Sequence, residues 1–257
     1  EHFAPISFFN AGLTSWTFDH YRRFLEMATD RTYAPKILIV SVDYWMFANN
    51  FDEMWKPRFY DKPTPHIADL KFVANELISA PMRLIKRLPH AANYKGMYAF
   101  LSGDGFKADG SLARGHALSP DINRLAQDGT AVGVPPLMLG PSISKRQKEK
   151  FERFMAAAKA RNITVIGIQA PYHRRIFDVL EKSSKAGIWR EFRSAANRRY
   201  LESTGLIFFD FAYMKEFIDK PQHFVDSIHP DEGILKNIID LVKSDPRVLG
   251  VFNGSTK

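Results

Sequence analysis

The 257 residues include 45% hydrophobic side chains, a formal charge of +8 and no cysteine. That length and apolar content suffice for one soluble α/β domain with a substantial core, and the lack of cysteine excludes disulfides and thiol nucleophiles without choosing a redox compartment. The basic residues are interspersed with acidic ones, as in Lys145-Arg146-Gln147-Lys148-Glu149-Lys150, so the charge reads as solvated surface and excludes a nucleic-acid footprint.

Along the chain, Ile6 to Asn10 reads as a short strand running into Ala11-Gly12-Leu13. Phe18, Tyr21, Phe24, Leu25 and Ala28 follow helical spacing, and residues 36–42 form a buried-strand run ending at Asp43. Residues 50–135 are less regular, with a helix expected over about 67–88 and a Gly-rich polar stretch over 103–115, and read as an insertion or lid within a single domain. Ser144 is the expected N-cap of a helix reaching about Arg161, followed by a strand over 163–168 that ends at Ala170-Pro171. A helical region over about 185–203, an apolar strand within 205–211 and a last helix ending near Pro246 complete the series. Short apolar strands separated by helices predict an α/β fold of three layers, α/β/α, around a mostly parallel sheet. No window approaches the roughly 20 apolar residues that span a bilayer, so a membrane tether or export signal would precede residue 1.

The segment Phe224-Val225-Asp226-Ser227-Ile228-His229-Pro230-Asp231-Glu232-Gly233 places Asp226 three residues before His229, on a loop between a strand and the final helix. Within one turn such a pair can bring a carboxylate onto imidazole Nδ1, leaving Nε2 to take a proton from a nucleophile. Composition alone yields roughly 0.5 such pairs by chance, so the context carries the reading. Pro230 suits a first helical position, and Asp231 and Glu232 suit the positive end of the helix dipole. The opposing interpretation makes Asp226 a helix cap and His229 an unrelated surface residue.

The order of these pieces resembles the SGNH (GDSL-like) hydrolase superfamily, in particular its branch of cell-envelope polysaccharide O-acetyltransferase and esterase proteins, a flavodoxin-like three-layer architecture. Asn10-Ala11-Gly12-Leu13-Thr14-Ser15 resembles the second block, whose glycine N–H helps form an oxyanion hole. Residues 40–47, Val-Ser-Val-Asp-Tyr-Trp-Met-Phe, are similar to the strand of the third block, and Asp226-Ser227-Ile228-His229-Pro230 resembles the last. The resemblance implies a serine esterase or O-acyltransferase acting on an esterified, acetylated glycan or other envelope substrate, located in the cell envelope or periplasm, with Asp226 and His229 catalytic, Gly12 in the oxyanion hole, and neither cofactor nor metal. The first block with the nucleophilic serine belongs upstream of Asn10, and the chain begins too late to contain it, so the serine is expected upstream of residue 1, with Ser15 a secondary candidate. The third block's usual Gly-x-Asn-Asp is absent; Asn49 and Asn50 are secondary candidates for its asparagine and otherwise read as loop polar residues. The missing first block motivates the alternative of a non-catalytic carbohydrate-binding or assembly module with a degenerate SGNH fold.

His173 follows a strand end on the C-terminal side of the sheet, where it could touch substrate, and reads as a surface loop histidine. His66, His90, His116 and His223 lack the close-pair spacing of metal ligands. No Gly-x-Gly-x-x-Gly or Walker pattern supports nucleotide binding. The aromatic series Tyr44, Trp45, Phe47, Phe51, Trp55 reads as core or lid packing, with a pocket wall as the alternative.

Overall fold

The computed structural model describes residues 17–29, 35–49, 51, 105–106, 112–113, 140–220, 223–224 and 228–254. The chain divides into two compact units, one made chiefly of residues 3–14 and 56–119 and the other of residues 15–55 and 120–257. The described part of the first is an antiparallel pair, β2 (Gly105–Phe106) and β3 (Leu112–Ala113), within the stretch read as Gly-rich and polar. The expected strand over 6–10, the expected helix over 67–88 and most of the proposed insertion lie outside the described residues.

The second unit is built on a parallel sheet of β1 (Ile37–Ser41), β4 (Thr164–Gln169) and β5 (Ile207–Asp210), in the order β1-β4-β5. Ile37 pairs with Thr164 and Ser41 with Ile168, while Ile166 pairs with Ile207 and Gln169 with Asp210, so all three strands end together at one edge. Successive strand residues enter different hydrophobic clusters, which is why apolar residues occupy both parities of each strand and do not alternate with polar ones. Val40, Val42, Val165, Leu206 and Phe208 join one cluster; Ile37, Ile39, Ile166, Ile168, Ile207 and Phe209 join the other.

Helices α1 (Phe18–Thr29), α2 (Lys145–Lys159), α3 (Arg174–Lys182), α4 (Gly187–Phe192) and α5 (Ala195–Ser203) supply the first cluster. Helices α6 (Lys215–Ile218), α7 (Glu232–Ser244) and α8 (Pro246–Gly254) supply the second. The α1 stripe Phe18, Tyr21, Leu25 is buried as its spacing predicts. Phe18 meets Phe151 of α2 at 5.2 Å between ring centroids and Phe47 at 4.9 Å, and Tyr21 meets Phe154 at 5.4 Å. Burying each such ring contributes about 1.5–3 kcal/mol. Tyr44, Phe47 and Phe51 are fully buried, with Trp45 packed on Phe51, so the described part of the aromatic series is core; Trp55 lies outside the described residues.

The turns from helix to strand are written in single residues. Asn162 takes a left-handed φ of 55° between α2 and β4, and Gly205 takes φ 91° between α5 and β5, where its N–H reaches the Glu202 carbonyl at 2.9 Å. The expected helical region over 185–203 is two helices, because Ser194 accepts the Asn197 N–H at 3.1 Å and starts α5 afresh. Pro246 starts α8 instead of only ending α7: it stands first in the helix, where no N–H is needed, and Asp245 accepts from the Arg247 N–H at 2.8 Å. Helix α3 was not anticipated. Among the described residues no helix is long and apolar enough to cross a membrane.

Gly187, at the start of α4, lies where a Cβ would meet the Pro141 carbonyl oxygen at 2.1 Å, a contact closed by the Ile188 N–H on the Gly140 carbonyl at 2.8 Å. Both neighbours are backbone, so the clash cannot be relieved by rotating a side chain. Gly187→Ala is expected to destabilise the fold by about 1–3 kcal/mol; an unchanged urea midpoint would contradict this packing.

Candidate functional site

The C-terminal edge of the β1-β4-β5 sheet gathers polar side chains over an aromatic floor. Beyond β1 the pairing extends by one more bond, Val42 N–H to the Ile168 carbonyl at 3.0 Å, and beyond β5 the Phe211 N–H reaches the Gln169 carbonyl at 3.0 Å. These bonds hold Asp43, Gln169 and Asp210 near one level, where ligands of parallel α/β sheets bind.

Asp43 is buried. The Tyr172 hydroxyl donates to its Oδ1 at 2.9 Å and the Ser41 hydroxyl to its Oδ2 at 2.5 Å. Burial pushes the Asp43 carboxyl up to about 6, against the two hydroxyl hydrogen bonds and the charge of His229, which favour the anion, and with the charge of Asp210, which disfavours it. His229 is therefore within electrostatic reach of Asp43. Tyr172 is pushed well above its ordinary value by burial and by Asp43, so it is a hydroxyl donor at any physiological pH. Beneath them Tyr44 and Tyr172 pack on Trp189, with centroids at 5.2 and 6.0 Å. Gln169 is fully buried with its amide beside the Tyr172 hydroxyl, although neither polar atom makes a hydrogen bond of ordinary geometry.

Asp210 accepts the Ala212 N–H at 2.9 Å and stands 3.8 Å from Arg193 Nε. The Arg193 guanidinium lies 4.8 Å from the Trp189 ring centroid and pairs with Glu181 at 2.6 Å. It thus ties β5, α3 and α4 together beside the edge.

His229 is exposed and precedes α7, as its reading as a loop histidine requires. Asp226, Gly12, Ser15 and Asn50 lie outside the described residues. Asn49 is exposed and accepts a hydrogen bond from the Ser144 hydroxyl at 3.1 Å; Ser144 flanks α2 as expected, but its side chain bonds Asn49 and not the helix. Pro230 does not occupy the first helical position: Asp231 is the N-cap, accepting the Ile234 N–H at 2.9 Å, and Glu232 is the first helical residue. His173 is 4% exposed and caps α3, its Nδ1 accepting the Arg175 N–H at 3.2 Å, so the surface reading is corrected. Burial and the Arg175 charge lower its pKa, which keeps the ring neutral and able to accept. Among the described residues no three His, Asp or Glu side chains converge as a metal site.

Sequence reasoning reads Asp43 as the end of a strand within the segment resembling the third block, gives it no role of its own, and does not single out Tyr172. An acidic residue closing an apolar strand run is the signal that points to Asp43; its partner lies 129 residues away. The site holds a buried carboxyl raised to about 6, whose anion the charge of His229 favours, and a carboxylate within electrostatic reach of an imidazole is suited to stabilising its imidazolium. Comparison with known proteins returned no matching family model, no matching curated protein and no matching solved structure.

Proposed function

We propose that the second unit is a three-layer α/β/α domain of SGNH type that catalyses serine-dependent acyl transfer on an esterified glycan or related envelope substrate. The observation that supports the reading is the position of His229: exposed, directly ahead of α7, and within electrostatic reach of the buried Asp43 at the C-terminal edge of the parallel sheet. The assignment of strand residues of opposite parity to two separate clusters supports the layering.

In this mechanism a serine hydroxyl attacks the ester carbonyl carbon while His229 Nε2 takes its proton, and backbone N–H groups hold the oxyanion. Collapse breaks the bond to the leaving alcohol, which receives the proton from His229. The acyl-serine is then attacked by water or by a sugar hydroxyl, deprotonated in turn by His229; the first gives an esterase and the second a transferase. Asp226 orients the imidazole, and Asp43 adds a second negative charge favouring the imidazolium.

The test is labelling by a fluorophosphonate probe, with the modified peptide mapped by mass spectrometry, in the full-length gene product and its His229→Ala variant. A label on one serine that disappears in the variant is expected. Labelling that persists without His229, or none at all, sinks the reading; glycan binding without labelling would favour a non-catalytic module.

A further inference from the structure

The stretch that carries His229 is closed at its neck by a set of contacts that the proposed chemistry does not itself use. Across the neck the Asp231 N–H donates to the His223 carbonyl at 2.7 Å, and Phe224 and Pro230 form an antiparallel bridge. His223 Nδ1 stands 2.7 Å from Asp231 Oδ2. The other Asp231 oxygen accepts the Ile234 N–H at 2.9 Å, so one carboxylate both closes the neck and starts α7. Phe224 is buried in the second cluster, its ring edge-on to His173 at 5.6 Å, which roots the neck beside the end of β4.

The protonation pattern is fixed by chemistry. Burial raises the Asp231 pKa, but the Ile234 N–H and the hydrogen bond and charge of His223 outweigh it and hold the carboxyl below its ordinary range. An ionised carboxylate only accepts, so His223 Nδ1 carries the hydrogen in both its neutral and its charged form. Side-chain exposures of 43% and 34% make such a pair worth little to global stability. What it constrains is local: the two chain ends from which His229 is presented.

We infer that His223 and Asp231 form a clasp, a positioning pair that fixes the His229 segment against the sheet edge. The inference rests on the reading of His229 as the proton acceptor. A displacement of about 1 Å at a reacting group costs on the order of 100-fold in rate, so loosening the neck reduces kcat without removing a contact to substrate.

The test uses two readouts on the full-length gene product. Hydrogen exchange at the amide of position 231 reads the clasp alone. His223→Ala is expected to speed that exchange by about two- to fivefold, and His223→Asn, whose side-chain N–H sits near the place of Nδ1–H, to restore protection. Turnover of an acetyl ester reads the consequence: His223→Ala and Asp231→Ser, the latter keeping a helix cap, are expected to lower kcat about 10- to 100-fold with KM nearly unchanged, and His223→Asn to recover most of it. Unchanged exchange in His223→Ala overturns the clasp whatever the activity. Faster exchange with undiminished kcat, in a protein whose turnover needs His229, overturns the positioning role. If wild-type turnover does not need His229, the functional reading fails and exchange alone decides the clasp.

Discussion

Replacing His229 by Ala in the full-length gene product is expected to lower kcat for an acetyl ester by about 10⁴-fold or more, with the thermal midpoint almost unmoved. The size follows from the proposed role: in a serine-dependent mechanism the hydroxyl keeps its proton without a base, and removal of a single member of such a triad costs on the order of 10⁴ to 10⁶. The small stability effect follows from the place. His229 is exposed on the segment ahead of α7, where surface substitutions usually stay within about 0.5 kcal/mol. The pairing of a large kinetic loss with a silent melting curve separates a proton acceptor from a residue needed for folding. Activity within tenfold of wild type would exclude His229 from the chemistry.

Local periodicity carried the parts of the fold that depend on neighbours in sequence. The runs over 36–42 and 163–168 are apolar at both parities because alternate residues enter different clusters, and β1 and β4 stand there. The spacing of Phe18, Tyr21 and Leu25 gives α1 for the same reason. What periodicity could not show is where a helix restarts. Ser194 and Asp245 break long helical patterns by bonding to backbone N–H groups of the helix that follows, a choice made by one side chain and not by a stripe.

The loop position of His229 ahead of the last helices was legible in the sequence; the polar contacts at the strand ends were not. Asp43 and Tyr172 meet only because β1 and β4 are paired in parallel and end together. His223 and Asp231 are eight residues apart, a spacing with no helical or strand meaning, and meet because Phe224 and Pro230 pair as an antiparallel bridge. The sequence marks Asp231 as an acid of the first turn, favourable to the dipole; in the structure it is the N-cap, and the same carboxylate is also the anchor of a histidine.

Asp43 supplies the second large expected effect, and its sign can be worked out. In the unfolded chain its carboxyl takes its ordinary value of 3.8, and in the fold burial raises it to about 6. A raised carboxyl binds its proton more tightly in the native state, so its contribution to stability is fully present below about pH 4 and is lost as pH rises through about 6. At 1.36 kcal/mol for each pKa unit, the loss is about 3 kcal/mol by pH 7. Asp43→Asn removes this dependence. The neutral amide resembles the protonated acid in shape: of the Ser41 and Tyr172 hydroxyls, which donate to the two carboxylate oxygens, one can keep donating to the amide oxygen while the other turns to accept from the amide N–H. The variant is therefore expected to match wild type in urea denaturation at pH 4 and to exceed it by up to about 3 kcal/mol at pH 7. A difference between the two proteins that does not change with pH would refute the raised pKa. If the gain appears and ester turnover falls with it, the fold is retaining a costly buried anion for its effect on the imidazolium of His229, the trade of stability for chemistry expected where a charge is held out of water beside a reacting group.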